Sequence, residues 1–223
     1  MRAQTADDII EKHLQALGGK AKIAEVKTLL IDGTIPVAPG LDIPFKMSLA
    51  FGKGMRMEVE FQGKKQIVAL NGDMGWKIDP FSSGLSDPDP EPLPADMVTE
   101  MKPQLDQGGD LYEYKAKGNK VEYVGKEDVE GTECYKLKVT RTDGITIFYL
   151  IDTETNYDIK IIQKVKLDDK ETESTSLKSD FRPLSNGYIM AFNVNNEGQI
   201  IQFTKAEINP IFDAKLFEMP AKK

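Results

Sequence analysis

The chain has 223 residues, with 29 Lys+Arg against 36 Asp+Glu for a formal net charge of -7, and 40% of it is hydrophobic. That apolar share is too high for a disordered chain, and the acidic balance argues against nucleic acid and against electrostatic docking on anionic lipid, both of which need clustered Lys and Arg. One cysteine excludes an intrachain disulfide and a Cys-based zinc site, one histidine removes most hydrolytic and metal constellations, and no apolar run approaches the roughly 18 residues that span a bilayer.

The N-terminal stretch starts as a helix. Thr5 with Asp8 three residues on is close to a capping box, and Ile10, Leu14 and Leu17 make one apolar stripe that Gly18-Gly19 ends. A second short helix is expected from Lys20 to Val26, so that helices occupy about residues 6–25. His13 reads as a helix-surface or edge residue rather than a base. No charged segment followed by an apolar one precedes the helix, which leaves a cytosolic protein or a mature domain whose signal peptide is removed.

From Val26 the period changes from 3.6 to 2. Leu41, Ile43, Phe45, Met47, Leu49 and Phe51 alternate with polar or small residues, and so do Met55, Met57, Val59 and Phe61, with Gly52-Lys53-Gly54 as the turn between. Such strands bury one face and wet the other. The same alternation returns at Tyr135, Leu137 and Val139, then at Tyr157, Ile159, Ile161, Val165 and Leu167, and again at Tyr188, Met190, Phe192 and Val194. Asn71-Gly72, Asp143-Gly144, Asn186-Gly187 and Glu197-Gly198 mark turns. This predicts a mainly β (α+β) fold, one large antiparallel sheet of about eleven strands in a meander.

Between Pro80 and Pro94 the meander breaks. Five prolines stand there with Asp87, Asp89 and Glu91, a composition that predicts an extended loop outside the ladder. A helix is expected next, about Ala95 to Gln107, carrying Met97, Val98, Met101 and Leu105 and kinked or shortened by Pro103. A linker between two domains is the alternative. Strands of the same character resume after Gly109, which favours a single domain over 1–223 with a helix-bearing insertion at about 80–108.

So many one-sided strands must twist and curl, and a barrel of that size leaves more interior than side chains fill. The expected architecture is an unclosed barrel with a few helices as plug or lid on its concave face, leaving an apolar cavity. Six of the nine methionines fall between Met47 and Met101, on the two cleanest strands, the next hairpin and the lid helix. Methionine adapts to variable acyl chains, although plain core filling explains the same pattern. The expected cavity lining is Phe45, Met47, Leu49, Met55, Met57, Val59, Trp76, Phe81, Met97 and Met101. Trp76 also reads as a core or rim anchor.

Catalytic patterns are scarce. Neither a Gly-x-Ser-x-Gly elbow nor a phosphate loop occurs, and a triad would have to use the helical His13. Asp152 with Glu154, and Asp168-Asp169, stand at strand ends where acids commonly form turns. Cys134 falls on the face opposite Tyr135 and Leu137, beside Lys136 and Lys138, as an unreactive small residue.

Several segments together resemble the LolA/LolB-like superfamily, in particular Bacteroidetes-type outer membrane lipoprotein-sorting proteins. They are Ala6-Asp7-Asp8-Ile9-Ile10 through Leu14-Gln15-Ala16-Leu17-Gly18-Gly19, then Gly75-Trp76-Lys77-Ile78-Asp79-Pro80-Phe81. Gly125-Lys126-Glu127-Asp128-Val129-Glu130-Gly131 with Cys134-Tyr135-Lys136-Leu137 is the most specific piece. Asp143-Gly144, Tyr149-Leu150-Ile151-Asp152 with Thr155, Ser179-Asp180-Phe181-Arg182-Pro183, and Leu216-Phe217 before Pro220 complete the set. The resemblance implies an unclosed antiparallel barrel on helices whose cavity holds lipid or lipoprotein acyl chains. It also implies an exported, periplasmic protein with Ala3-Gln4 as a cleavage scar, no enzymatic activity, no cofactor and no metal. Sorting proteins of the inner and outer membranes would be partners of a monomer. The chain departs from the family in its acidity and its long proline-rich loop; no ligand-gating arginine is matched, and Arg56 is a candidate only because it opens a strand facing the expected cavity. A structural or interaction protein of the cell envelope with a self-filled barrel is the alternative.

Overall fold

A computed structural model describes residues 4–82, 84, 88–167, 170–213 and 215–222. Ala3, Asp87 and the Asp168-Asp169 pair lie outside the described residues, as do the side chains of Val165 and Leu167. The protein is mainly β. Thirteen strands form one antiparallel sheet, joined by three short helices. The sheet order is β6-β5-β4-β3-β2-β1-β13-β12-β11-β10-β9-β8-β7, an open series among the described residues, with ranges given below. The chain divides into two compact units, Met1–Ile23 with Asp110–Ile200, and Ala24–Gly109 with Ile201–Lys223.

The first unit begins with α1 (Ala6–Ala16). The capping box forms as its residues require: the Thr5 hydroxyl accepts from Asp8 N at 3.2 Å while Thr5 N donates to the Asp8 carboxylate at 3.1 Å. Gly18, at φ +106°, turns the chain out of the helix. The unit's strands are β7 (Lys120–Val129), β8 (Thr132–Thr140), β9 (Thr146–Asp152), β10 (Asp158–Leu167), β11 (Lys170–Pro183) and β12 (Ile189–Asn196). Register aligns Leu137 with Tyr149 and Val139 with Ile147, so Tyr135, Leu137, Val139, Ile147, Tyr149 and Ile151 share one buried face. Helix α1 buries Ile9, Ile10, His13 and Leu14, and it packs beside β7.

Two readings are corrected in this unit. His13 is buried at 4% exposure, with Nδ1 2.9 Å from the carbonyl oxygen of Asn156. It lies four residues after Ile9 on the inner stripe, and that carbonyl satisfies its ring. The alternation across Ile159 and Ile161 also breaks. The register shifts between Asp158 and Lys160, so Ile161 pairs with Tyr149 while Ile159 packs with Val129, Cys134, Leu150 and Ile162 on the other face.

The second unit holds β1 (Thr28–Ala38), β2 (Leu41–Ala50), β3 (Gly54–Phe61), β4 (Lys64–Asn71), β5 (Met74–Ile78), β6 (Glu91–Pro92) and most of β13 (Gln199–Ile208). Helix α2 (Lys20–Glu25) precedes β1. The expected lid helix is divided, as Pro103 predicts: α3 covers Ala95–Met101 and a 3-10 turn covers Lys102–Leu105. The Gln107 amide donates to Ala24 O at 3.1 Å and Val26 O at 2.8 Å, which ties the insertion to the chain before β1.

The proline-rich loop corrects one expectation. Glu91–Pro92 does join the ladder, pairing Trp76 with Pro92 and Lys77 with Glu91, and Leu93 N donates to Gly75 O at 2.9 Å. Proline is tolerated because β6 is an edge, where the missing N–H is not required. This edge and the finer division of the meander account for thirteen strands instead of about eleven.

Candidate functional site

The second unit's β2–β3 hairpin sets the site. Its turn aligns Phe45 with Val59, Met47 with Met57 and Leu49 with Met55, and β4 continues the rows with Val68 opposite Met57 and Leu70 opposite Met55. Directly opposed residues share a face, so Phe45, Met47, Leu49, Met55, Met57 and Val59 stand together, with Ile31 and Ile43 of β1 and β2 beside them. Phe45, Leu49 and Met55 are buried, whereas Met47, Met57, Val59, Val68 and Ile43 are half-buried. The face is therefore a continuous apolar strip with a sealed end and a partly accessible middle.

Helix α3 and Leu93 seal that end. A Cβ at Gly75 would stand 2.8 Å from Leu93 Cδ1 and 2.9 Å from Val98 Cγ2, so only glycine lets the helix approach β5 this closely. Met101 is half-buried on α3, while Met97 is 42% exposed and the buried contact is Val98. Phe81 is half-buried and meets Phe61, the last residue of β3 on this face, edge to face at 6.2 Å.

Trp76 stands elsewhere. Register pairs it with Ala69, on the face opposite the methionines. It is 2% exposed, and its Nε1 donates to Phe217 O at 2.8 Å. The Phe217 ring packs on Gly54, where a Cβ would lie 2.8 Å from its Cγ. Arg56 alternates with Met55 and Met57 and so points to this same opposite face. Its guanidinium is 5.4 Å from the Trp76 ring centroid, its Nη1 donates to Leu216 O at 3.3 Å, and its Nε donates to Glu58 at 2.7 Å. Burial raises the Glu58 carboxyl, but Lys65 and Arg56 outweigh it and hold the group below its usual range. Arg56 thus anchors the C-terminal segment, which corrects its reading as a ligand gate.

The other polar residues singled out are structural. Asp152 accepts from Glu154 N at 2.9 Å and from the Thr155 hydroxyl at 2.5 Å, a turn-forming role. Cys134 is fully buried, and burial pushes its thiol up to about 11, which leaves it unreactive. Among the described residues no cluster of His, Cys, Asp or Glu is arranged to hold a metal ion.

Val98, Leu93, Val68 and Leu70 belong to this site and were not anticipated as lining. The spacing of Val98, Met101 and Leu105 carried a helical signal. Ile67-Val68-Ala69-Leu70 is apolar throughout, so no alternation told which side faces the strip, and Leu93 lies in a segment without periodicity.

With this geometry the chain aligns over nearly its whole length with solved structures. A LolA superfamily protein from Nitrosomonas europaea aligns with TM-score 0.54 and 12% identity over 96% of this chain and 98% of that one. The fold is LolA-like. A DUF1329 family protein from Desulfovibrio piger aligns with TM-score 0.59 and 14% identity over 94% of this chain and 97% of that one. A putative outer membrane lipoprotein-sorting protein domain from Vibrio parahaemolyticus gives TM-score 0.55 and 10% identity over 94% and 97%. At the level of sequence, no protein family and no curated protein matches the chain.

Proposed function

We propose that this LolA-like protein is a periplasmic, non-enzymatic carrier that holds lipid or lipoprotein acyl chains against the apolar strip of β2, β3 and β4, in the sorting of lipoproteins to the outer membrane. The observation that carries the reading is the strip itself. Met47, Met57, Val59 and Val68 remain half-buried although their neighbours at the α3 end are sealed. Methionine suits an acyl chain of variable position because its side chain is flexible and polarisable. Each methylene taken from water contributes ~0.8 kcal/mol, so a modest length of chain gives useful affinity without polar recognition.

The LolA-like fold supports this reading, as does the name of the Vibrio parahaemolyticus neighbour, which refers to outer membrane lipoprotein sorting. The closer kinship to Bacteroidetes-type sorting proteins rests on the Gly125–Gly131 and Cys134–Leu137 segments. Among the described residues no helix is long and apolar enough to cross a membrane. Delivery then runs through inner- and outer-membrane sorting partners of a monomeric carrier. At a net charge of -7, anionic lipid does not hold the protein by electrostatics.

The test is mass spectrometry of the organic extract of gently purified protein, paired with binding of an uncharged acyl probe. Lipid should co-purify, and Met57→Glu should abolish probe binding by placing a carboxylate on the strip. An extract free of lipid, with probe binding unaltered in Met57→Glu, refutes the carrier.

A further inference from the structure

A second cleft in the same unit lies apart from the methionine strip, and its chemistry is different. It has a volume of about 660 Å³ and sits where the β2–β3 and β4–β5 turns meet the C-terminal segment. Phe51, Phe212 and Phe217 give it an aromatic wall, and Lys27, Lys53 and Asp213 stand around it. The size falls within the roughly 300–1,000 Å³ typical of small-molecule sites.

The wall is fixed before any ligand arrives. Phe212 and Phe217 meet edge to face at 6.0 Å, and Phe217 is held by its carbonyl's bond from Trp76 and by its seat on Gly54. The main chain at the two lysines is anchored, and their side chains are exposed around the cleft. Phe51 N donates to Lys27 O at 3.1 Å, and Gly72 N donates to Lys53 O at 2.7 Å. Among the described residues neither ammonium forms an ion pair, while Asp213 uses a carboxylate oxygen to accept from Lys215 N at 2.9 Å. In a chain with a net charge of -7, an aromatic cleft with two unpaired cations against one carboxylate is locally cationic.

We propose that this cleft binds a single-chain amphiphile with an anionic head, carboxylate or phosphate, its tail along the phenylalanines and its head between Lys27 and Lys53. The site is independent of the acyl strip, because Phe217 and Trp76 occupy the opposite face of the sheet. A carrier with both would hold a chain by apolar contact at one place and read a charged head at another.

Trp76 is the only tryptophan and is bonded to Phe217, so its emission reports on this wall. The full chain is titrated, below micelle formation, with laurate, dodecyl phosphate, dodecyltrimethylammonium and inorganic phosphate, reading Trp76 emission and calorimetric affinity. In the Met57→Glu variant, whose strip no longer takes a chain, laurate and dodecyl phosphate should still bind and shift the emission, while the cationic amphiphile and inorganic phosphate should each bind far more weakly. The double variant Lys27→Gln/Lys53→Gln should weaken both anionic amphiphiles about threefold or more, since each exposed charge pair is modest, with its thermal midpoint confirming the fold. In the wild-type protein the strip adds a further class of sites for any dodecyl chain, and Met57→Glu should remove that class alone.

In the Met57→Glu background, equal binding of the cationic amphiphile, unchanged affinity when Lys27→Gln/Lys53→Gln is added, or no binding by any probe overturns the proposal. Inorganic phosphate binding as tightly as dodecyl phosphate overturns it in favour of a simple anion site. If Met57→Glu abolishes laurate binding and the double glutamine variant does not, the chain lies on the strip: the cleft proposal falls and the carrier reading stands.

Discussion

The two units solve the same problem, an apolar sheet face that must be covered, with unequal helices. In the first, α1 has 11 residues, a complete capping box and four buried side chains, and the facing strands bury Leu137, Val139, Ile147 and Ile151 almost completely. In the second, α3 has 7 residues, starts at Pro94 without a side-chain cap, and buries Val98 alone. A helix of two turns without a cap has little stability of its own and covers about 10 Å of sheet. The difference separates a core from a surface: a long capped helix completes packing, and a short one seals an end and leaves Met47, Met57 and Val59 half-buried.

Polar groups follow the same division. Under α1 the buried Asp158 pairs with Lys178 at 2.6 Å, His13 bonds the Asn156 carbonyl, and the Tyr149 hydroxyl donates to Asp110 at 2.7 Å. Burial pushes the Tyr149 hydroxyl well up, with the Asp110 charge adding to it. These contacts set the position of the helix and of the segment after Gly109. Among the described residues the methionine strip carries no such network, as expected if the proposed carrier accepts chains there in more than one register.

The largest effect that tests this contrast is Leu137→Ala. Leu137 is fully buried, so the variant should lose about 3–4 kcal/mol in urea unfolding followed by circular dichroism. A loss near 1 kcal/mol would show that the first unit's face is no better packed than the strip. Next is Lys178→Met, which leaves the Asp158 carboxylate buried without its partner and should cost about 3 kcal/mol.

The same pair gives a pH dependence. Burial raises the Asp158 carboxyl, but Lys178, then His13 and the backbone, outweigh it and hold it below an ordinary aspartate. A depressed carboxyl contributes stability that is present above the unfolded value and lost as pH falls through the folded one. Wild-type stability should therefore drop as pH falls below about 4, and Asp158→Asn should show a shallower drop in the same titration. Identical slopes would remove Asp158 from the account.

The sequence carried the hairpin well and the sides of the sheet poorly. Clean alternation from Leu41 to Leu49 and from Met55 to Phe61, with glycines on both sides of the turn, leaves one register that buries both apolar sets, and that register is observed. The α1 cap was legible because Thr5 and Asp8 interact over three residues. Trp76 and Arg56 were not placed correctly by position along the chain, since their side depends on how β3, β4 and β5 pair. Arg56 could have been excluded from the strip by parity with Met55 and Met57. For Trp76 the uniformly apolar run in β4 hid the register. The bulge at Asp158 and the edge pairing of Pro92 depend on partners distant in sequence, which local periodicity does not report.

The smallest predicted effect is also the sharpest. Met57→Ala removes a half-buried side chain, so it should cost about 1 kcal/mol or less, below the loss of about 2–5 kcal/mol expected at a sealed core position. In a carrier, the same substitution removes apolar contact with the bound chain and should weaken an uncharged acyl probe several-fold in a fluorescence displacement titration. Met55→Ala, two residues away on the same face but only 2% exposed, should show the reverse: a large loss of stability and little change in probe affinity. If both substitutions cost the same stability and neither alters the probe, the strip is ordinary core, and the unequal helices reflect only how much sheet each unit had left to cover.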